Sequence, residues 1–448
     1  MQVDWLQRPS TKLGSRPDDS PESWAVALYV VDYRRNRQSP IGSSDVWNGP
    51  FISTDTSAPV GIPRDPEPAH IAAVEQPALV TWVEAGASMT ARWRSANGRP
   101  APGRVEVVSD SLTADDAIQM ASQGIAMLWH GDFHNARQIL NALDRRIGAG
   151  KKQTAQTPAE KFYRHRQSRS HRARILGLLL IPLDPGPVVP LRRAPDIRQA
   201  AVEAYGDIGE SSVVSLHELV GAIGAHEWRR NGVYVDALQG RIHPHYGTFF
   251  PTRSEYVELV AAAPLPSDTL AFDVGTGTGV LAAVLARRGV HRVIATDNEP
   301  RAIACAAENF RNLGVQDRAE AVLTDMFPPG RAPLIVCNPP WIPATPHSSL
   351  DSAVYDPGSR MLFRYLNELS DHLEPGGEGW LVLSDLAEHL GLRTREDLLA
   401  AITAAGLKVV ERLGTKPTHP KASDHDDPLF EARAAEVTSL WRLVPRMI

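Results

Sequence analysis

The sequence has few cysteines and no long apolar run. Cys305 and Cys337 are its two cysteines, which excludes a disulfide-stabilised framework. It contains no stretch of about 18 apolar residues and no secretory signal pattern, so we expect neither a membrane span nor export. Its His, Cys and carboxylate residues show no metal-ligand spacing, and we expect no metal site. These absences indicate a protein of the reducing cytoplasm.

A strong excess of charge of either sign is also missing. The chain has 47 Lys and Arg against 52 Asp and Glu, a net charge of −5, which gives no global field for nucleic acid. One local cluster is basic and lies on a predicted helix: Arg164, Arg166, Arg169, Arg172 and Arg174. Two interpretations stay open for this cluster, a solvated helix face or a contact with RNA or an acidic protein.

The pattern of elements predicts three regions in the 448 residues. Residues 1–110 form a β-rich region with a long loop at 36–76, a strand at Trp24–Tyr33 and a hairpin over 78–94. Residues 111–235 are mainly α-helical, with a first helix that starts at Thr113 and reaches Trp129. In residues 236–448 strands alternate with helices.

The most informative segment begins at Leu270. An apolar strand ends in Asp273, and a glycine-rich turn with the pattern G-x-G-x-G leads into an apolar helix. The next strand ends in Asp297. The interval from Gly275 is 297 − 275 = 22 residues, at which a nucleotide-binding βαβ unit places the acid that binds ribose hydroxyls.

The turn differs from the dinucleotide-binding pattern G-x-G-x-x-G. An acid at the strand end, Asp273, would repel a pyrophosphate at the helix N-terminus. A cationic ligand with an amino-acid tail suits it better. S-adenosylmethionine (AdoMet) carries both a sulfonium and an ammonium group, so the acid indicates AdoMet.

A further apolar strand, Pro333–Cys337, runs into Asn338-Pro339-Pro340-Trp341, which we name the elbow. The alternation of strands and helices predicts an α/β fold. We expect a Rossmann-like, doubly wound sheet of seven strands with an antiparallel edge, preceded by a small β unit and an α-helical region.

Together these motifs resemble class I AdoMet-dependent methyltransferases over about Arg241–Leu443. The elbow is similar to that of release-factor glutamine and nucleobase amino-group methyltransferases. The resemblance implies that Asn338 and the Pro339 carbonyl accept hydrogen bonds from an acceptor NH₂ group and that Trp341 stacks on its plane. It also implies AdoMet as the cofactor, bound by Asp273, Gly275, Thr276, Gly277, Gly279, Asp297, Asn298, Asp325, Met326 and Asn338.

The segment Gly240–Glu255 is dense in aromatic, His and Pro residues. It is similar to a segment that covers the cofactor in the glutamine-methyltransferase family. The resemblance therefore implies substrate-binding or lid roles for Tyr246, Phe250, Thr252, Arg253 and, within the elbow, Pro340.

We therefore expect an AdoMet-dependent N-methyltransferase that acts on a planar amide or amino nitrogen, of a protein glutamine or a nucleobase. Two alternatives stay open. One is a small-molecule methyltransferase of a biosynthetic pathway. The other is a non-catalytic AdoMet-binding scaffold, which would keep Asp297 but would not need Asn338.

Overall fold

The computed structural model describes residues 78–148, 155–251, 254–346, 351–418 and 423–446. The predicted strand at Trp24–Tyr33 and the predicted loop at 36–76 lie outside these ranges. Among the described residues, no helix is both long and apolar enough to cross a membrane.

The first half of the described chain folds around a six-stranded sheet. Its elements are β1 (Leu79–Glu84), β2 (Ala87–Arg94), β3 (Val105–Val108), α1 (Ala114–Ser122), β4 (Ala126–Trp129), α2 (Phe133–Gly148), α3 (Pro158–Leu176), β5 (Leu179–Leu183), α4 (Arg198–Tyr205), β6 (Ser212–Ser215) and α5 (Leu216–Asn231). The strand order is β1-β2-β6-β5-β4-β3. β1 with β2 and β5 with β6 are antiparallel, and the other pairs are parallel. The predicted hairpin is thus confirmed.

The predicted helix from Thr113 to Trp129 is wrong beyond Ser122. Thr113 does cap α1, since its hydroxyl accepts from the Asp116 N–H at 3.2 Å, but Gly124 then adopts a φ of +75° and ends the helical path. Residues 126–129 form β4, and all four are buried. Met127 and Trp129 pack into one cluster, while Ala126 and Leu128 pack into another on the opposite face. A strand that is buried on both faces has no polar alternation, which explains the wrong assignment.

The same effect explains why β6 was not predicted, since its Val213 and Val214 are buried in clusters on opposite faces of the sheet. β4, β5 and β6 all come from the region predicted to be helical, and they share a sheet with β1–β3. One mixed sheet therefore replaces the predicted small β unit and α-helical region, and position 110 falls inside it. The boundary near residue 235 stays a prediction.

The second half contains the predicted seven-stranded sheet. After a small hairpin, β7 (Val233–Val235) and β8 (Gly240–Ile242), come α6 (Glu255–Ala262), β9 (Leu270–Val274), α7 (Val280–Arg287), β10 (Arg292–Asp297), α8 (Pro300–Leu313), β11 (Ala319–Leu323), β12 (Ala332–Cys337), α9 (Arg360–His372), β13 (Leu373–Ser384), α10 (Leu386–His389), α11 (Arg395–Ala404), β14 (Leu407–Thr415), α12 (Phe430–Ala435) and β15 (Thr438–Pro445). The order is β11-β10-β9-β12-β13-β15-β14. The first five strands are parallel, and β15 is antiparallel to both neighbours. The Rossmann-like prediction is confirmed.

Helices cover both faces of this sheet. α6, α7 and α8 pack on one face, against side chains such as Ala271 and Val336, while α9 and α11 pack on the other, against Phe272 and Ile335. Successive residues of each parallel strand thus enter opposite apolar layers. This double layer keeps the strands fixed, so the loops at their carboxyl ends stand at defined positions.

Candidate active site at the reversal of strand order

A cavity lies at the carboxyl edge of the seven-stranded sheet, where the strand order reverses. β9 pairs with β10 on one side and with β12 on the other, and its register sets Val274 beside Cys337. The glycine turn and the elbow therefore follow two adjacent strands at the same edge, the position where open α/β sheets bind ligands. The cavity measures about 870 Å³, which is within the range of small-molecule sites.

Most residues that the sequence singled out line this cavity. They are Asp273, Gly275, Thr276, Gly277, Asp297, Asn298, Asp325, Met326, Asn338, Pro339, Pro340 and Trp341. Gly279, Tyr246 and Phe250 are not among its lining residues. Thr252 and Arg253 lie outside the described residues. The individual roles stay predictions, but the geometry brings the two motifs into one space.

The glycine turn needs a backbone that other residues rarely adopt. Gly275 and Gly279 have φ values of +72° and +81°, in the left-handed region that favours glycine. A Cβ atom on Gly279 would lie 2.6 Å from the Phe310 ring, and one on Gly275 would lie 2.7 Å from Met361 Cε. Gly279 thus has a packing role behind the cavity, because α8 approaches the turn there.

The buried Asp273 side chain holds the glycine turn and the start of α7 by hydrogen bonds. Its Oδ2 accepts hydrogen bonds from Thr276 Oγ1 at 2.7 Å and from the Ala282 N–H at 3.0 Å. Within the described residues its Oδ1 accepts no hydrogen bond. Burial raises the pKa of Asp273 to about 6, against the lowering effect of these two bonds. A buried carboxylate with one uncommitted oxygen is a good partner for a cation, which would offset the cost of burying the charge.

Asp297 connects the glycine turn to the second strand. Its Oδ2 accepts from the Gly277 N–H at 3.0 Å, and its Oδ1 accepts from the Glu299 N–H at 3.0 Å. Burial raises its pKa as well, while these backbone donors work in the opposite direction. Each carboxylate oxygen keeps a further lone pair, so the group can still accept from a pair of hydroxyls.

Within the elbow, Asn338 is held by a hydrogen bond from Trp341. The Trp341 indole Nε1–H donates to Asn338 Oδ1 at 2.8 Å. The bond occupies one of the two lone pairs of that oxygen and defines which way the amide faces. Among the described residues, no hydrogen bond reaches the Pro339 carbonyl oxygen. Two acceptors, the second Oδ1 lone pair and the Pro339 carbonyl, therefore stand close together on a backbone that two prolines stiffen.

The Trp341 ring is itself fixed by packing. It meets the buried Tyr256 ring edge to face, with centroids 6.3 Å apart and planes at 89°. Tyr256 lies on α6 and lines the same cavity. The indole is therefore a positioned side chain with its N–H committed to Asn338, which the sequence did not predict.

A second group of predicted residues lies beyond the carboxyl end of β11. Met326 has a φ of +68° and is held by Thr296 Oγ1, which donates to its carbonyl at 2.5 Å. Asp325 Oδ2 pairs with Arg364 Nη1 at 2.5 Å. A non-glycine residue in the left-handed region that the surrounding structure holds in place is a feature of ligand-binding turns.

The segment before the domain contributes different residues from those predicted. Gly247, Thr248 and Phe249 line the cavity, whereas Phe250 packs on Trp228 with ring centroids 6.1 Å apart. His245 anchors the segment, since its Nε2 lies 2.8 Å from Glu308 Oε2 on α8. The sequence did predict a covering segment here, but residue spacing alone does not tell which of its residues reach the cavity.

Other lining residues were missed because they come from distant parts of the chain. Tyr355, Asp356 and Arg360 follow the elbow, and Ala96 and Arg169 come from the first half. Asp356 Oδ2 accepts from the Met361 N–H at 2.8 Å and so fixes the start of α9. No local motif marks these positions, because their proximity depends on tertiary packing. In the described part of the chain, no group of three His, Cys, Asp or Glu residues is arranged to hold a metal ion.

Comparison with known proteins finds methyltransferases that are similar to the second half. Residues 258–400 match the family model described as the methyltransferase small domain. A release factor glutamine methyltransferase of Cereibacter sphaeroides is 35% identical over 175 residues, which are 36% of this chain and 60% of that protein. A putative protein N5-glutamine methyltransferase of Methanocaldococcus jannaschii is 24% identical over 162 residues, covering 34% of this chain and 80% of that protein.

A ribosomal protein L11 methylase of Lactobacillus delbrueckii is similar in structure, at 16% identity and a TM-score of 0.31, over 44% of this chain and 79% of that one. The chain spans 60% of the length of the Cereibacter relative, and 36% of this chain takes part in that match. The expected resemblance to release-factor glutamine methyltransferases and related methyltransferases is confirmed for the second half. The resemblance of the elbow stays a prediction.

Replacing Gly279 by alanine is expected to lower the free energy of unfolding by about 2–4 kcal/mol, since strain at positive φ adds to the contact with Phe310. Gly314→Ala is the matched control. Gly314 has a φ of +68°, and a methyl group added there would meet nothing within 4 Å, so it should lose only about 1–2 kcal/mol. Urea unfolding measures both. Equal losses would contradict a packing role for Gly279.

AdoMet affinity should decrease as the pH falls through about 6, where Asp273 gains a proton. The carboxylate is the form that attracts a cation, so below this pKa each pH unit should weaken binding up to about tenfold. Calorimetric titration with AdoMet over a pH series measures the effect. Asp273→Asn should bind weakly at every pH. If that variant kept the full pH dependence, the proton would belong to another group.

Proposed function

We propose that this protein is an AdoMet-dependent N-methyltransferase whose acceptor is the side-chain amide of a glutamine in another protein. One observation carries the proposal: the glycine turn with Asp297 and the elbow with Asn338 line the same cavity, on two adjacent strands. The similarity to glutamine methyltransferases supports the choice of an amide acceptor.

The residues at the donor end of the cavity suit AdoMet. Asp297 would accept hydrogen bonds from the ribose hydroxyls, and Asp325, whose Oδ1 is not used by Arg364, would accept from the adenine amino group. Met326 would pack on the adenine ring. The uncommitted Oδ1 of Asp273 would face the positively charged methionine end. When bound, AdoMet supplies a methyl carbon made electrophilic by the neighbouring sulfonium.

The elbow would activate and orient the acceptor nitrogen. An amide nitrogen is a poor nucleophile because its lone pair is delocalised into the carbonyl group. Asn338 Oδ1 and the Pro339 carbonyl would accept its two N–H groups and favour the geometry in which the lone pair is localised and points along the line of transfer. Such positioning can lower a barrier by about 7–11 kcal/mol. No strong base is required, because the proton can leave after the new C–N bond has formed.

Trp341 would serve the same step indirectly. Its indole N–H holds Asn338 Oδ1 at 2.8 Å, so the amide of Asn338 keeps its oxygen on the side of the indole. Without that donor the amide could rotate and present its NH₂ group, which would repel the acceptor N–H groups. The sequence also predicted that the indole stacks on the plane of the acceptor amide, and this second role stays a prediction.

Transfer from methyl-labelled AdoMet into fractionated cell extract tests the function. We expect label in the protein fraction, and acid hydrolysis should release it as volatile methylamine, because an N-methylated glutamine amide yields methylamine when its C–N bond to the acyl group is cleaved. Label in RNA or in small molecules would replace the proposed acceptor by a nucleobase or a metabolite. Absence of label from every fraction would favour a non-catalytic scaffold.

Asn338→Ala should lower kcat by at least about 100-fold, the effect of removing one preorganised group from a reacting centre. Its AdoMet dissociation constant should stay within about twofold, since Asn338 would act mainly on the acceptor. Asp297→Ala is the converse control and should weaken AdoMet binding. Labelled transfer and calorimetry separate the two effects. Loss of AdoMet binding in Asn338→Ala would mean that its role is misassigned.

Trp341→Phe keeps an aromatic ring but removes the indole N–H. We expect kcat to fall about tenfold, the equivalent of about 1.4 kcal/mol for a lost orienting hydrogen bond, with little change in the KM for protein acceptors. Trp341→Ala removes ring and donor, and should change both kinetic constants. A Phe variant with wild-type kcat would show that the Nε1–Oδ1 bond has no part in the reaction.

A further inference from the structure

Helix α3 from the first half of the chain packs directly on the loop that follows the elbow. We name this loop, residues 342–346 and 351–356, the acceptor loop. Phe162 of α3 is buried in one cluster with Ile342 and Ala344. The Arg166 guanidinium lies 3.9 Å from the Tyr355 ring centroid and donates to the Thr345 carbonyl. The acceptor loop therefore depends on α3 for part of its support.

The arginine run of α3 divides into members that form ion pairs and members that do not. Arg164 pairs with Glu160 at 2.5 Å, and Arg172 pairs with Asp144. Arg169, one turn beyond Arg166, lines the cavity that contains Asn338 and Trp341. In the described ranges, neither Arg169 nor Arg174 forms an ion pair. Two cations of α3 thus have no carboxylate partner within the described ranges.

A separate groove lies along α3. It measures about 490 Å³ and is lined by Tyr163, Arg166, Gln167, Ser170, His171 and Arg174, facing Ala344 and Thr345 of the acceptor loop. The helix residues recur at intervals of three and four, so they form one face of α3. The cavity and the groove border the same loop and the same helix, and Arg169 and Arg174 stand one in each.

We propose that α3 binds an acidic stretch of the acceptor polypeptide, with carboxylates on Arg169 and Arg174 beside the glutamine that enters at the elbow. The inference rests on the proposed function and names its substrate class. Carboxylates of the acceptor would complement Arg169 in the cavity and Arg174 in the groove, neither of which forms an ion pair within the described ranges. The acceptor loop itself brings Asp351 and Asp356 to the cavity, and Asp356 is engaged there by the backbone at the start of α9. Two such cations suit a few carboxylates, whereas a phosphate backbone needs a longer basic track.

Binding of three probes to the full chain, saturated with S-adenosylhomocysteine, tests the proposal. The probes are a nine-residue peptide with a central glutamine between glutamates, its counterpart with lysines, and a nine-nucleotide single-stranded RNA. We expect wild type to bind the glutamate peptide at least about tenfold more tightly than the other two, as one or two charge-assisted bonds would give. Arg169→Gln should lose most of this preference.

Arg172→Gln is the matched control, an exposed arginine of the same helix that lines neither the cavity nor the groove. It should keep the preference, and thermal unfolding should show that both variants are folded. Equal loss in both variants, no preference in wild type, or tighter binding of the RNA would overturn the proposal, the last in favour of nucleic acid. Methyl transfer into extract protein distinguishes failure of this inference from failure of the proposed function. Unchanged transfer and unchanged peptide binding in Arg169→Gln would refute this inference alone. Absence of transfer in wild type would refute the proposed function.

Discussion

The candidate site depends on the parallel pairing of β9 with β12. Because Val274 and Cys337 are register partners, the residues that follow them leave the sheet side by side. The segment after β9 turns at Gly275, and the segment after β12 turns at Asn338. No side chain in either motif has to reach across the sheet. Both strands are buried between two helical layers, so a shift in their register would exchange the side chains that pack against each layer and is opposed by the loss of close packing.

The parallel pairing of the strands also places the carboxylates at the donor end of the cavity and uncharged acceptors at the other end. Asp273 and Asp297 end β9 and β10, and burial raises the pKa of both. A structure that keeps two neighbouring carboxylates partly desolvated is less stable by itself and gains stability from a cation. The glycine turn therefore gives the donor end its charge preference before any acceptor is present. The acceptor end contains uncharged acceptors, Asn338 Oδ1 and the Pro339 carbonyl, which do not compete for that cation.

The sequence predicted the second half well, because its signals are local. A glycine turn, an acid 22 residues later and a strand that ends in Asn338 are each encoded by a few adjacent residues. The strands of the first half were harder to predict. In β4, Met127 and Trp129 enter one core while Ala126 and Leu128 enter another. Such a strand has no polar face, so its sequence does not show the alternation of apolar and polar residues that is typical of a strand. The predicted lid residues Tyr246 and Phe250 do not line the cavity while Phe249 does. Tertiary packing decides this, since the Phe250 ring is engaged by Trp228.

The packing of α3 on the acceptor loop explains why the halves of this chain belong together. The elbow is short and stiff. The acceptor loop that follows it has little regular structure: among its described residues, one β-bridge joins Ile342 and Tyr355. Phe162 and Arg166 supply the missing support from outside the sheet. Since a reacting group displaced by about 1 Å can cost about 100-fold in rate, a helix that fixes this loop acts on the chemistry as well as on binding. Acceptor choice and acceptor alignment would then both depend on α3, so the first half could not be removed without changing the reaction of the second.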